Sequence, residues 1–340
     1  MALLDIINPY AYIMLARRWM YRRGWLKSEH PGIPVISIGN LSMGGSGKSP
    51  LVMDVAKYLI AQCGKRVAIV SRGYRRSSKG FVLVSDGKTI LADVDSSGDE
   101  AQMFAQLVPQ AIVIVDEDRV RGAKRAKALG AEIVVLDDGY QHLRIQRDLN
   151  ILLVDTRRAL SPVIPFGRFR EPLYSAEDAD VLVLSHAEDK TRTRRCWEQL
   201  EPNCKAEVIG STLQTVGDAL ISVENNSSVE LSTLRGRRVM AVSSVASPQS
   251  LIKMLEEAGA EVIYRNLGDH AGYSRALVET ILRGAEGSGA EMIITTQKDI
   301  VKSREYFLRV ESRIPVFVLS QKIEFLSGER SFYAAIERLL

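Results

Sequence analysis

Cysteine is scarce in this 340-residue chain: Cys63, Cys196 and Cys204 are odd in number and far apart. No C-x-x-C pair points to zinc or redox chemistry, and a reducing compartment is expected. Long apolar runs are missing too. No stretch approaches the ~20 apolar residues that a membrane-spanning helix needs. The first residues have neither the charged n-region nor the small-residue cleavage site of a signal peptide, so the chain is expected to stay on the cytoplasmic side. A dominant charge is also lacking. With 45 basic and 41 acidic residues the net charge is +4, too balanced for a general nucleic-acid binder. Repeats of solenoid period and low-complexity tails are absent. What remains is an ordinary globular composition, long enough for about two domains with cores of their own.

The strongest positive signal is Gly39-Asn40-Leu41-Ser42-Met43-Gly44-Gly45-Ser46-Gly47-Lys48-Ser49-Pro50, directly after the apolar run Pro34 to Ile38. A strand that ends in a glycine-rich turn and opens a helix aims backbone N–H groups and a helix N-terminus at one spot, where a polyphosphate fits. Gly44, Gly45, Ser46, Gly47, Lys48, Ser49 and Pro50 are therefore the candidate ATP-binding residues, with Lys48 the point charge and Ser49 a magnesium-ligating hydroxyl. Serine stands at position 42, where G-x-x-x-x-G-K-[ST] has its first glycine. The bland alternative is a Gly/Ser turn between strand and helix.

A second apolar run, Ile133 to Leu136, delivers Asp137 and Asp138 at its carboxyl end, like a Walker B element. In a doubly wound sheet, ligands lie outside the carboxyl ends of the strands, so these carboxylates and the phosphate loop should share a crevice. One of them can hold Mg²⁺ beside Ser49. Ser97-Gly98-Asp99-Glu100 precedes a helical run: Asp99 or Ser97 reads as an N-cap, or Asp99 as a base aimed at a substrate hydroxyl. Gly268-Asp269-His270-Ala271-Gly272 places His270 in a glycine-flanked loop, either structural or catalytic. Ser71-Arg72-Gly73-Tyr74-Arg75-Arg76, Arg119 and Arg168-Phe169-Arg170-Glu171-Pro172 suit an acidic, bulky substrate, since guanidinium forks match phosphate. Lys298, in Thr296-Gln297-Lys298-Asp299, either faces a nucleotide or solvates a turn.

Short continuous apolar runs alternate with helical patterns from Pro34 to Leu184, as expected for strands buried on both faces of a mostly parallel sheet. Residues 206–230 change to short alternating segments and read as a β-hairpin linker. The βα alternation then restarts at Arg238. The expected fold is α/β: a P-loop NTPase with a doubly wound, mostly parallel sheet in residues 28–205, and a smaller α/β domain in residues 231–340 whose last helix can pack back on the core. Residues 1–27 combine Leu3, Leu4, Ile6, Ile7, Tyr10, Ile13, Met14, Leu15 and Trp19 with Arg17, Arg18, Arg22, Arg23 and Lys27. Asp5, Asn8 and Pro9 interrupt the pattern. Two readings stay open, a membrane-associating helix in the headgroup plane and a helix packed on the body of the protein. In the first, each basic residue near anionic lipid contributes about 1 kcal/mol.

Taken together, the loop Gly39 to Pro50, Ser71-Arg72-Gly73-Tyr74, Gly98-Asp99-Glu100, Asp118-Arg119, Asp137 to His142, Arg170-Glu171-Pro172, Asp269-His270 and Lys298-Asp299 resemble the tetraacyldisaccharide 4′-kinase (lipid A 4′-kinase) family along nearly the whole chain. Serine at position 42 belongs to that family's pattern. The resemblance implies transfer of the ATP γ-phosphate to the 4′-hydroxyl of a tetraacylated glucosamine disaccharide 1-phosphate at the inner membrane of a Gram-negative bacterium, with ATP and Mg²⁺ as cofactors. By resemblance, Asp99 and His270 activate the hydroxyl and Lys48 neutralises the transferring phosphate. Ser49, Asp138 and Glu171 serve magnesium, while Tyr74, Arg119, Gln141, His142 and Arg170 hold the disaccharide. The expected partners are the acylated disaccharide lipid and a membrane surface, with no nucleic acid, and the chain is expected to be a monomer. Departures are Ala271 where a second histidine is common, Gln297 where glutamate is usual, serines at 46 and 49 for threonine, and Phe166 to Phe169 for an apolar Pro/Gly segment.

Two rivals remain. One is a P-loop ATPase switch of the partitioning or metal-insertion type; the other is a nucleotide-gated membrane-binding module. Neither requires Asp99 with His270 or the arginine-rich face.

Overall fold

The computed structural model describes residues 3–44, 47–158, 161–205, 208–245, 248–268 and 272–340. It has two compact units, residues 1–215 with 323–340, and residues 216–322. In chain order the first unit holds α1 (Leu3–Ile6), α2 (Pro9–Arg22), β1 (Val35–Gly39), α3 (Lys48–Ala61), β2 (Val67–Ser71), β3 (Val82–Asp86), α4 (Val94–Ser97), α5 (Asp99–Leu107), β4 (Ile112–Val115), α6 (Arg119–Ala128), β5 (Ile133–Asp137), β6 (Leu149–Asp155), β7 (Val181–Ser185) and α7 (Lys190–Leu200). β8 (Ile209–Ser222) leads into the second unit, with β9 (Ser228–Glu230), β10 (Arg238–Ser243), α8 (Gln249–Glu257), β11 (Glu261–Asn266), α9 (Arg275–Gly287), β12 (Met292–Thr296) and α10 (Gln297–Arg309). β13 (Val316–Ser327) leads back, and α11 (Glu329–Glu337) ends the chain in the first unit.

The sheet of the first unit runs β8-β7-β6-β1-β5-β2-β4-β3, parallel except for the edge strand β3. Strands β1, β2, β4 and β5 are buried along their whole length, which is why they read in the sequence as unbroken aliphatic runs. One face is covered by α6, whose Val120, Ala123 and Ala126 join Val35, Val70, Ile114, Val134 and Leu136 in one core. The alternate residues Ile36, Ile38, Ile69 and Val135 point the other way and are equally buried. The register matters for chemistry: Ile38 pairs with Asp137, and Val70 with Leu136, so the carboxyl ends of β1, β5 and β2 finish level. In the second unit the parallel order is β11-β10-β12-β13, over a core that includes Val242, Ile281, Ile293 and Phe307.

Two segments differ from or add to the sequence reading. The hairpin expected over residues 206–230 is confined to its tip, where Ala219 to Ile221 pair with Ser228 to Glu230; before that, β8 runs parallel to β7 as a strand of the first unit. Its inward Ser211 and Leu213 alternate with less buried neighbours, the pattern of an outer strand rather than a loop. Asn8 and Pro9 interrupt the helical run between α1 and α2, as expected, and are more than an interruption. They start α2: Asn8 Oδ1 accepts the Tyr10 N–H at 3.0 Å as N-cap, and Pro9 takes a position whose N–H has no helical partner. α2 packs Tyr10 and Ala11 into the core beside Tyr140 and Phe169. Its other side leaves Tyr12, Ile13 and Trp19 exposed, together with Ile6, Ile7, Trp25 and Leu26 nearby. α11 seats on α3, with Tyr333 donating to Asp54 at 2.7 Å and stacking on Tyr58 at 4.0 Å.

Candidate active site

β1 ends at Gly39 because the backbone of the next loop passes directly over it: a Cβ there would lie 2.6 Å from Tyr140 Cβ and 2.8 Å from Tyr140 N. That contact presses the turn after β5 onto the start of the phosphate loop. Asn40, buried at the entrance, is the hub between them. Its side-chain oxygen accepts from Lys48 Nζ at 3.0 Å and Arg170 Nη2 at 2.5 Å, and its backbone oxygen accepts from Gln141 Nε2 at 2.8 Å. Position 42 explains itself here. Ser42 forms a bridge with Phe169, Met43 N–H donates to the Arg168 carbonyl at 2.8 Å, and Ser42 Oγ accepts from Asn40 Nδ2 at 3.3 Å. An extended residue needs no glycine; the positive φ values fall at Gly44 and Gly47 instead.

Gly47, at φ +84°, is the N-cap of α3, so Lys48, Ser49 and Pro50 form its first turn, where N–H groups lack helical partners and proline is tolerated. Gly45 and Ser46 lie outside the described residues, as do Asp269, His270 and Ala271. Lys48 Nζ sits 3.2 Å from Asp138 Oδ1. Asp138, at φ +53°, receives both nitrogens of the Arg170 fork at 2.7 Å. Burial would raise its pKa, but Lys48 and then Arg170 outweigh burial and hold the carboxylate far below its usual range. Asp137 shows the opposite. Burial, with Glu100 and Asp138 as negative neighbours, pushes it up to about 7, although Ser71 Oγ donates to it at 3.1 Å. Adjacent carboxylates are thus driven apart, one charged and one inclined to hold a proton.

Asp99 is not an N-cap. That position belongs to Gly98, whose φ of +86° opens α5 without any side-chain cap, and Asp99 lies in the first helical turn. Ser97 donates to the Asp93 carbonyl and accepts from Gln102 Nε2 at 2.9 Å, so it does not cap α5 either. A Cβ on Gly98 would meet the Tyr74 carbonyl at 3.0 Å, so the backbone of the Gly73-Tyr74 turn lies against the start of α5. Glu100, one residue on, accepts from Ser49 Oγ at 3.4 Å. Ser49 and Glu100 are thus two oxygen donors brought together at the start of α3, the kind of ligand a hard cation such as magnesium takes, while both oxygens of Asp138 are engaged by Arg170 and Lys48. Glu171, expected to join them, is fully buried and is bound by Arg18 of α2, a group sequence reasoning did not single out.

Around this centre several buried polar atoms lack hydrogen-bond partners among the described residues: Arg119 Nε, Gln141 Oε1, His142 Nε2 and Arg170 Nε. Arg119, buried at the start of α6, donates to the Asp116 carbonyl at 3.1 Å; burial lowers its pKa, while Asp137 and Asp138 oppose the shift. His142 is pushed down to about 4 by burial and, after it, by the charge of Arg119. Leaving buried donors and acceptors unsatisfied is costly.

A model of the family described as tetraacyldisaccharide-1-P 4′-kinase (LpxK) matches residues 1–340. The chain belongs to this family. The curated tetraacyldisaccharide 4′-kinase of Pelobacter propionicus is 36% identical over 312 residues, covering 88% of this chain and 83% of the relative. That of Pelodictyon phaeoclathratiforme is 34% identical over 342 residues, covering 97% and 94%. LpxK from Aquifex aeolicus, solved as a complex with ATP, matches with a TM-score of 0.79 at 32% identity, over 99% of this chain and 98% of that one. The fold is thus that of the 4′-kinase family. Among the described residues no helix is long and apolar enough to cross a membrane. Sequence reasoning missed Asn40 as the hub between the two loops and Glu100 as a carboxylate partner of Ser49. Both stand inside the motifs it quoted; what was lacking was their geometry.

Proposed function

We propose that the chain transfers the γ-phosphate of ATP to the 4′-hydroxyl of a tetraacylated glucosamine disaccharide 1-phosphate, on the cytoplasmic face of a Gram-negative inner membrane. The observation that carries this reading is the cluster of unpartnered buried atoms on Arg119, Gln141, His142 and Arg170 beside the Lys48 and Asp138 pair. An ATPase switch needs the phosphate loop and the carboxylates but not a second polar pocket. Phosphoryl transfer asks for positioning and charge stabilisation, and each residue has a task. Lys48 and the N-terminus of α3 hold the transferring group, and Asp99 takes the proton of the acceptor hydroxyl. Arg119 and Arg170 offer guanidinium donors to the acceptor, joined by Tyr74, Gln141 and His142. Ser49 and Asp138, with Glu100 beside Ser49, would hold magnesium, which would supply charge neutralisation to the transferring phosphate.

The exposed Ile6, Ile7, Ile13, Trp19 and Trp25, with Arg17, Arg22 and Arg23 on the same helical segment and just after it, suit a helix lying in the headgroup plane where the lipid acceptor resides. Purified protein with Mg-ATP and the disaccharide 1-phosphate is expected to give the bisphosphate. ATP hydrolysis without a phosphorylated lipid would sink the reading.

A further inference from the structure

Arg18 is an unusual residue for a helix with an exposed apolar side. It is only 3% exposed, and it turns inward to carry four interactions at once. Its Nε donates to Glu171 Oε2 at 2.8 Å and its Nη2 reaches the same oxygen. Nη1 pairs with Asp178, and Nη2 also points at the Tyr140 carbonyl at 3.4 Å. The guanidinium lies 5.0 Å from the centroid of the Tyr140 ring.

These partners are not scattered. Tyr140 is two residues after Asp138, and Glu171 directly follows Arg170, the residue that forks onto Asp138. One guanidinium therefore ties together the two loops that present opposite halves of the Arg170 and Asp138 pair. The preceding residue does the same on a smaller scale, since Arg17 Nη1 donates to the Gln141 carbonyl at 3.2 Å. Further along, Asn8 Nδ2 donates to the Ile164 carbonyl at 2.9 Å, and Asp5 accepts the Val163 N–H at 2.8 Å. The N-terminal segment thus grips the loops around 140, 163 and 171. Glu171 is the pivot: Oε2 is spent on Arg18, while Oε1 is buried with no hydrogen-bond partner among the described residues. A bland internal ion pair would satisfy both oxygens. Here one oxygen is fixed and the other left open.

We propose that Arg18 is a positioning residue for phosphoryl transfer: it sets the rotamer of Glu171 and the spacing of Arg170 from Asp138, so that the seating of the N-terminal helix is felt at the reacting centre. The proposal rests on the phosphoryl-transfer reading above. Its consequence is a split between chemistry and binding. A misplacement of about 1 Å at such a centre costs up to ~10²-fold in rate while groups that bind ATP through the loop stay in place. Arg18→Lys keeps the charge but loses the fork. Arg18→Met/Glu171→Gln removes both charges while Asp178 keeps its pair with Arg22 at 2.7 Å, which guards against a variant that simply fails to fold.

The test measures lipid bisphosphate formation per nucleotide-binding site, with sites counted by titration of a fluorescent ATP analogue. Both variants are expected to lose about 10–100-fold in kcat with KM for ATP changed less than about threefold. They should bind one nucleotide per chain, as the unsubstituted protein does. Full turnover per binding site in either variant overturns the proposal, even if the number of intact sites falls, because that is the signature of a purely structural pair. Absence of bisphosphate from the unsubstituted protein is a separate result: it overturns the kinase reading itself and this inference with it.

Discussion

Replacing Asp99 with asparagine separates a catalytic carboxylate from a structural one. Were Asp99 an N-cap, its loss would cost about 1 kcal/mol of stability, and activity would follow stability. The cap position is held by Gly98 without a side-chain hydrogen bond, and the Asp99 charge acts on α5 from its first turn, facing the positive end of the helix dipole. That is worth about 0.3–1 kcal/mol, and asparagine keeps the shape. For a domain of this size the melting temperature should therefore fall by no more than ~4 °C. Loss of a positioned base, in contrast, costs about 10²–10⁴-fold in rate, or roughly 2.7–5.4 kcal/mol of barrier. The expected result for Asp99→Asn is a protein that melts within a few degrees of the parent, binds ATP as the parent does, and forms bisphosphate at least ~10²-fold more slowly. The assay pairs a thermal melt and nucleotide titration with product formation at saturating lipid. Turnover within threefold of the parent would refute the reasoning, and so would a loss of ATP affinity that accounts for the rate.

Two further perturbations probe how the site is held. Gly39→Ala places a methyl group 2.6 Å from Tyr140 Cβ and 2.8 Å from its backbone nitrogen, neither of which can rotate away. About 1–3 kcal/mol of stability should be lost, read by denaturant unfolding, and ATP binding should weaken because Asn40 moves with the strand end; a stable, fully active Gly39→Ala protein would contradict the contact. His142 is held down to about 4, below its ordinary 6.5, so the folded chain binds fewer protons than the unfolded one between these values. Its contribution to stability is present above about pH 6.5 and is lost as pH falls toward about 4. Titration by NMR should place this histidine's midpoint near 4, and His142→Gln should flatten the acid side of the stability profile. A midpoint near 6.5 would show the ring to be solvated.

What the sequence made legible, and what it hid, divides along physical lines. Val67 to Val70 and Ile133 to Leu136 announced themselves because strands covered on both faces have nowhere to put a polar residue. The glycines and Lys48 were legible because a phosphate cradle restricts residue type locally, within one turn of backbone. Asn8 and Pro9 were legible only as an interruption: the residues that end one helical run start the next, and only the partner at Tyr10 shows the second role. Arg18 was hidden for a deeper reason. It stands among Arg17, Arg22 and Arg23 in a basic cluster, and nothing in residue type distinguishes a guanidinium in the headgroup region from one buried against Glu171.

The same limit applies to Asn40, Glu100 and Glu171, whose roles depend on which strand ends finish level. Once Ile38 is paired with Asp137 and Val70 with Leu136, Asn40 has to emerge beside the Asp137-Asp138 turn, and Ser71 against Asp137. Position 42 then follows as well. Arg170 has to reach Asp138 and Asn40 together, so its loop runs alongside Leu41 to Met43, with the Arg170 N–H donating to the Leu41 carbonyl at 2.6 Å. An extended residue is required at 42 for that pairing, and serine supplies it while offering Asn40 an acceptor. The missing glycine of the phosphate loop is therefore not a weakened cradle but the place where the loop carrying Arg170 docks.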